Sequence, residues 1–122
     1  MVILTKRQSG EHYEILAEQY LIRQGLSPIE KNFHFKGGEL DLIMQESATI
    51  VFVEVRYRSR QYFGHAAETV TKSKMLKLVK AANVWLMKHN KSVHNTDFRF
   101  DIMAIHQHGQ QIEWIKNAIT QG

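Results

Sequence analysis

The 122-residue chain has no cysteine and a single proline, Pro28. Without cysteine there can be no disulfide-stapled secreted scaffold and no thiolate zinc site. With so little proline, and no low-complexity tract or internal repeat, nothing marks a linker. The expectation is one domain covering residues 1–122. Long apolar runs are missing too: none approaches the roughly 18 residues expected of a membrane span. The opening MVILTKRQSG holds too short an apolar piece for a secretory signal. The expected location is therefore the cytoplasm, with no membrane partner. What remains is an ordinary globular composition, 43% apolar and 23% charged, long enough for a real core. The net charge of +4 is a modest basic bias, compatible with a polyanionic partner.

The most informative stretch is residues 37–58, GGELDLIMQESATIVFVEVRYR. Two apolar runs, Leu40 to Met44 and Ile50 to Val55, flank a short polar piece, the pattern of a β-hairpin. Ile50, Val51, Phe52, Val53 and Val55 suit a pleated surface. Charges interrupt both runs. Strict alternation puts Glu39, Asp41 and Ile43 on one face of the first strand, and Phe52, Glu54, Arg56 and Arg58 on one face of the second. If the two faces coincide, Asp41 and Glu54 come close. Paired carboxylates resist joint ionisation unless a cation lies between them, and Mg²⁺ accepts such a sparse site. Arg56 would then stand ready to hold a phosphate. The competing reading is a solvated or structural ion-pair network.

Glu39-Leu40-Asp41-Leu42-Ile43 followed by Phe52-Val53-Glu54-Val55-Arg56-Tyr57-Arg58 resembles the signature of the YraN family of bacterial proteins. That family is similar to the PD-(D/E)XK nuclease superfamily and, within it, to archaeal Holliday junction resolvases. The resemblance covers about Gly10 to about Ile115. It implies that Asp41 and Glu54 bind Mg²⁺ or Mn²⁺, that Glu39 supports them, and that Arg56 stabilises charge on a phosphate. It also implies a metal-bound role for Glu14, in the Gly, then Glu-x-x-Ala pattern of Gly10 and Glu14 to Ala17, with Glu18 as the fallback. By position alone, Glu14 would serve the helix dipole. The superfamily usually carries lysine where Arg56 stands. Arginine cannot act as a base, so the water needs another activator.

The rest of the chain is expected to frame this hairpin. Apolar Tyr13, Leu16, Ala17, Tyr20 and Leu21 mark a helix from Glu11. Ser9 or Gly10 would cap it, Glu11 and Glu14 would lie in its first turns, and Gly25 would stop it. Ile29 to Phe35 reads as a strand, with Phe33 and Phe35 on one side and Asn32 and His34 on the other. Lys36-Gly37-Gly38 reads as a turn. Residues 56–65 interleave arginine and aromatics, a loop suited to phosphates and bases, with Arg58 and Arg60 as contacts. Thr69 to His89 reads as a helix whose Met75, Leu78, Val79, Ala82, Trp85 and Leu86 form an apolar stripe. Lys72 and Lys74 are its best phosphate candidates, and the stripe could also serve a homodimer. Asp97 to Ile105 and Gln111 to Ile115 read as closing strands. Arg99 and Asp101 share a face as an internal ion pair or a site, and His106 and His108 sit at metal-like spacing in a turn.

The fold class expected is α/β, restriction endonuclease-like, a central mixed sheet flanked by helices. The function expected is a metal-dependent endonuclease on DNA, branched or junction DNA included, by metal-activated water attack on a phosphodiester. The alternative is a non-catalytic nucleic-acid-binding or adaptor domain that keeps the fold.

Overall fold

The computed structural model describes residues 5–58, 71–106 and 109–119. Its elements run α1 (Lys6–Arg23), β1 (Ser27–Phe35), β2 (Gly38–Glu46), β3 (Thr49–Arg58), α2 (Lys72–Lys88), β4 (Phe98–His106) and β5 (Gln111–Ile115). The five strands form one sheet in the order β1-β2-β3-β4-β5. Among the described residues only β3 and β4 pair in parallel; the other neighbours are antiparallel. The architecture is α/β, a mixed sheet flanked by two helices, of the restriction endonuclease-like kind.

Each face of the sheet carries its own helix. Tyr13, Ala17 and Leu21 of α1 pack on Leu42, Met44, Val51, Val53, Met103 and Ile105. On the other face Leu78, Ala81, Ala82, Trp85 and Leu86 of α2 cover Leu40, Ile43, Phe52, Phe100 and Ile102. The α2 stripe is thus seated on the chain's own sheet, with Met75 and Val79 only partly buried at its edge. Among the described residues no helix is long and apolar enough to cross a membrane.

Helix α1 begins five residues before the expected Glu11. Thr5 forms a capping box with Gln8, each side chain meeting the other's backbone N–H, and this satisfies two orphan donors. That outweighs the cost, about 1 kcal/mol, of holding Gly10 inside a helix. Glu11 and Glu14 therefore fall in the second and third turns, beyond the reach of the helix dipole. At the other end Gly25, at φ 103°, and Leu26 close a Schellman-type stop on Ile22 and Leu21. Helix α2 starts at Lys72, because the Thr71 hydroxyl accepts from the Lys74 amide at 3.1 Å.

Strand β3 continues through Arg58, in line with the strand face expected for Arg56 and Arg58 and not with the loop expected to open at Arg56. Arg56, Tyr57 and Arg58 pair in parallel with Ala104, Ile105 and His106. His106 accordingly ends β4, buried, and is not a turn residue. His108, like Arg60 and the remainder of the expected basic loop, lies outside the described residues.

Asp101 is fully buried and completely satisfied. Its Oδ1 accepts from Arg99 Nε at 2.9 Å and from the Asn117 amide at 2.8 Å. Its Oδ2 accepts from Arg99 Nη2 at 3.1 Å and Trp114 Nε1 at 2.9 Å. Arg99 Nη1 donates onward to Glu46 Oε1 at 2.8 Å, and that hydrogen bond holds Glu46 below the usual carboxylate range. The Arg99–Asp101 pair is a clasp that joins β4 to the end of β2 and to β5. It offers no free oxygen to a ligand. Asp101→Ala should cost about 3–5 kcal/mol in urea unfolding, because it leaves Arg99 Nε and Nη2, the Trp114 Nε1–H and the Asn117 amide without their acceptor. A loss below about 1 kcal/mol would show that the clasp does not hold the sheet.

Candidate active site

Strict alternation fails at one point, and the candidate site forms there. Leu42 and Met44 lie under α1, whereas Leu40 and Ile43 lie under α2. The faces therefore swap at Asp41, between Leu40 and Leu42. The neighbouring strand does the same. Lys31 reaches Glu18 of α1, while Phe33 joins the α2 cluster. Asn32, between them, takes φ 56°, a conformation asparagine tolerates better than most residues. The β2–β3 ladder ends at Leu42 with Val53, so Asp41 is not paired across from Glu54. Instead the amide of Val55 donates to Asp41 Oδ2 at 2.9 Å. The carboxylate takes the place of the missing strand partner and is drawn toward Glu54.

A polar cavity of about 290 Å³ opens where the strands part. It is lined by Glu14 and Tyr13 of α1, Glu39 and Asp41 of β2, Glu54 and Arg56 of β3, and Lys74 of α2, among others. The structure thus brings Glu14, Glu39, Asp41, Glu54, Arg56 and Lys74 to one place. Glu54 is 6% exposed. Burial first, then the hydrogen-bonded Asp41 carboxylate, push its pKa up to about 8; Lys74 pulls the other way. Burial also raises Glu14, with Asp41 adding to the effect, while a hydrogen bond from Asn32 opposes it. Lys74 Nζ stands 3.3 Å from Glu54 Oε2, and Arg56 Nη1 stands 4.0 Å from the same oxygen.

Several contributors are not visible as motifs. Asn32 holds Glu14 from β1, and its one signal in the sequence is that asparagine accepts a left-handed backbone. Tyr13 and Tyr57 stack at 3.8 Å between ring centres and form one wall. Burial, then the Tyr57 hydrogen bond, push Tyr13 up to about 12. Tyr57 is therefore a packed wall residue and not an exposed base platform. Lys74 stands inside the acidic site, not only on the basic rim expected of it. Other candidates stay apart. Lys72 is exposed at the first position of α2 and lines none of the described cavities. Glu18 is engaged by Lys31 at 3.4 Å. Arg58 is placed on β3 by its backbone alone, and Arg60 lies outside the described residues.

The comparisons place the chain among bacterial relatives. The uncharacterised protein family UPF0102 matches residues 13–105. A UPF0102 protein of Vibrio cholerae is 54% identical over 122 residues, the whole of both chains. One of Vibrio campbellii is 55% identical over the same span. One of Photobacterium profundum is 50% identical over 119 residues, 98% of this chain and 95% of that relative. These names carry a family and no activity.

The raised Glu54 value has a sign that can be measured. Its folded-state pKa of about 8 lies above the ordinary 4.5. The stability contributed by the protonated group is fully present below the ordinary value and is lost as pH rises through the folded one. Glu54→Gln mimics the protonated form. Wild-type protein, without added metal, should lose stability relative to Glu54→Gln as pH rises from about 5 to about 9. Urea midpoints that keep a constant difference across that range would contradict the assignment.

Proposed function

The chain belongs to the uncharacterised protein family UPF0102, and from the geometry of its site we propose that it is a metal-dependent endonuclease acting on DNA, branched or junction DNA included, in the cytoplasm. The observation that carries this reading is the forced contact of Asp41 with the buried Glu54 inside a polar cavity. Carboxylates crowded in this way either share a proton or take a cation.

The donor set fits Mg²⁺ or Mn²⁺. A small hard cation needs only one or two carboxylates and completes its shell with water and phosphate oxygens. Asp41 and Glu54 would hold it, with Glu14 reaching in from α1. Among the described residues no three His, Asp or Glu side chains already stand together as a metal group. Glu14 therefore counts as the residue that would complete the site and not as one already in place. A bound divalent ion supplies an acidified water and neutralises phosphate charge.

The chain's own residues do the rest. The Val55 amide fixes the orientation of Asp41. Arg56 and Lys74 place two cations beside Glu54, where they can bind a phosphodiester and the negative charge that builds on it. Arg56 serves as a charge and not as a base. The stacked Tyr13 and Tyr57 keep one wall apolar and rigid.

A second reading, a nucleic-acid-binding domain without turnover, draws on arginine at position 56 and on the two-carboxylate donor set. Cleavage assays with Mg²⁺ or Mn²⁺ on four-way, flapped and single-stranded DNA separate the two. The expected result is cutting by the wild type and a loss of more than roughly 100-fold in Asp41→Ala, since even outer-shell partners of a metal cost 10–100-fold. If no substrate is cut, and Asp41→Asn binds DNA as well as or better than the wild type, the nuclease reading gives way to the binding domain.

A further inference from the structure

A second cavity, of about 300 Å³, adjoins the first and is lined by His34, Gly37, Gly38, Glu39, Lys74 and Lys77. The two share Glu39 and Lys74, yet their charges are opposite. The first holds four carboxylates, Glu14, Glu39, Asp41 and Glu54, against Arg56 and Lys74. The second holds two lysines and a histidine against Glu39 alone, and Glu39 Oε2 already lies 3.3 Å from His34 Nδ1. One cavity is suited to a cation and its neighbour to an anion.

The lysines are divided in the same way. Lys74 and Lys77 are three residues apart on α2 and share a face. Lys74 is committed to Glu54, whereas Lys77 is exposed and makes no ion pair among the described residues. The close seating of α2 on the β1–β2 turn depends on Gly38. A Cβ at that position would lie 2.8 Å from the Lys77 carbonyl oxygen. Residues three apart on a helix have Cβ atoms about 5–6 Å apart, so two long lysine side chains so placed can reach neighbouring phosphates of one strand.

We infer that the cavity formed by His34, Lys74, Lys77 and the Gly37–Gly38 turn is a phosphate subsite, which holds the backbone phosphate next to the one over Asp41 and Glu54. It rests on the nucleic-acid reading of the site and adds where the strand runs: from the acidic cavity across the β1–β2 turn, along the first turns of α2. Lys77 is its principal cation. Lys74 stands between the two phosphates.

The test is binding of a labelled flapped DNA duplex with metal chelated, so that no cleavage occurs, across a salt series. Lys77→Ala should weaken binding by about tenfold, the loss of one charge-assisted contact. It should also reduce the slope of log K against log salt by about 0.9, one phosphate fewer. Lys77→Arg should restore both. Lys91→Ala, which removes an exposed lysine beyond the end of α2, should leave the slope unchanged. The subsite is overturned if Lys77→Ala matches Lys91→Ala, or if the wild type does not bind the duplex. The readout does not use turnover, so the two readings fail separately. Cleavage that is lost in Asp41→Ala, with Lys77-independent binding, removes the subsite alone. Lys77-dependent binding with nothing cleaved removes the nuclease and keeps the subsite.

Discussion

The site depends on β2 parting from β3. Beyond Leu42 and Val53 the two strands no longer pair, and the Val55 amide would be left without a strand acceptor. Asp41 supplies that acceptor at 2.9 Å. This one hydrogen bond meets a backbone obligation and holds a carboxylate against a second one. The swap of faces at Asn32 and Asp41 allows the parting without disturbing the core, because both faces stay filled on either side of it. The cavity is thus a consequence of the sheet's geometry and is not a gap in packing.

The two buried acids on β3 and β4 sit in different surroundings. Asp101 receives donors on both oxygens and closes a clasp through Arg99 to Glu46. Glu54, almost as deeply buried, shares its surroundings with the Asp41 carboxylate and has an ammonium at 3.3 Å. A chain that needed only an ion-pair network would surround Glu54 as it surrounds Asp101. A buried carboxylate crowded by a second one inside a cavity is the kind of environment in which functional groups cluster, and it supports the reading of Glu54 as a site residue.

The central hairpin, the two helices, the closing strands and the α/β class were all legible, because period-2 and period-3.6 patterns are strong over these stretches. Asp41 and Glu54 were legible as charges inside apolar runs. The mechanism that joins them was not. Strict alternation expects Glu39, Asp41 and Ile43 on one face, and the structure breaks that rule at Asp41 through a kink shared with Asn32. Nothing in the local pattern of hydrophobicity reports a shared kink, which is a property of two strands together. The start of α1 was missed because Gly10 and Ser9 look like a boundary, while the Thr5–Gln8 capping box is a stronger one. Residues 56–58 were read both as the continuation of the second strand and as the start of a basic loop, because their charge and aromaticity look like exposure. Parallel pairing with β4 is a long-range contact that holds them in a strand.

The position of Lys74 follows from long-range packing as well. Two residues beyond Glu54 the strand carries a guanidinium, which holds charge but cannot exchange a proton at working pH. The ammonium in the site comes from α2, twenty residues further along, and it gets there only if the helix lies close to the sheet. Gly38 makes that approach possible, since any side chain there would meet the Lys77 carbonyl oxygen. A glycine in the turn before the acidic motif therefore governs where the cations of a distant helix stand. The charge balance around Glu54 is set by three separate parts of the chain: the kinked strand, the strand end with Arg56, and the first turn of α2. Each is also held by contacts outside the acidic pair: the core on both faces of the sheet, the pairing of β3 with β4, and the seating of α2 over Gly38. For that reason the acidic pair can stay crowded without unravelling the sheet.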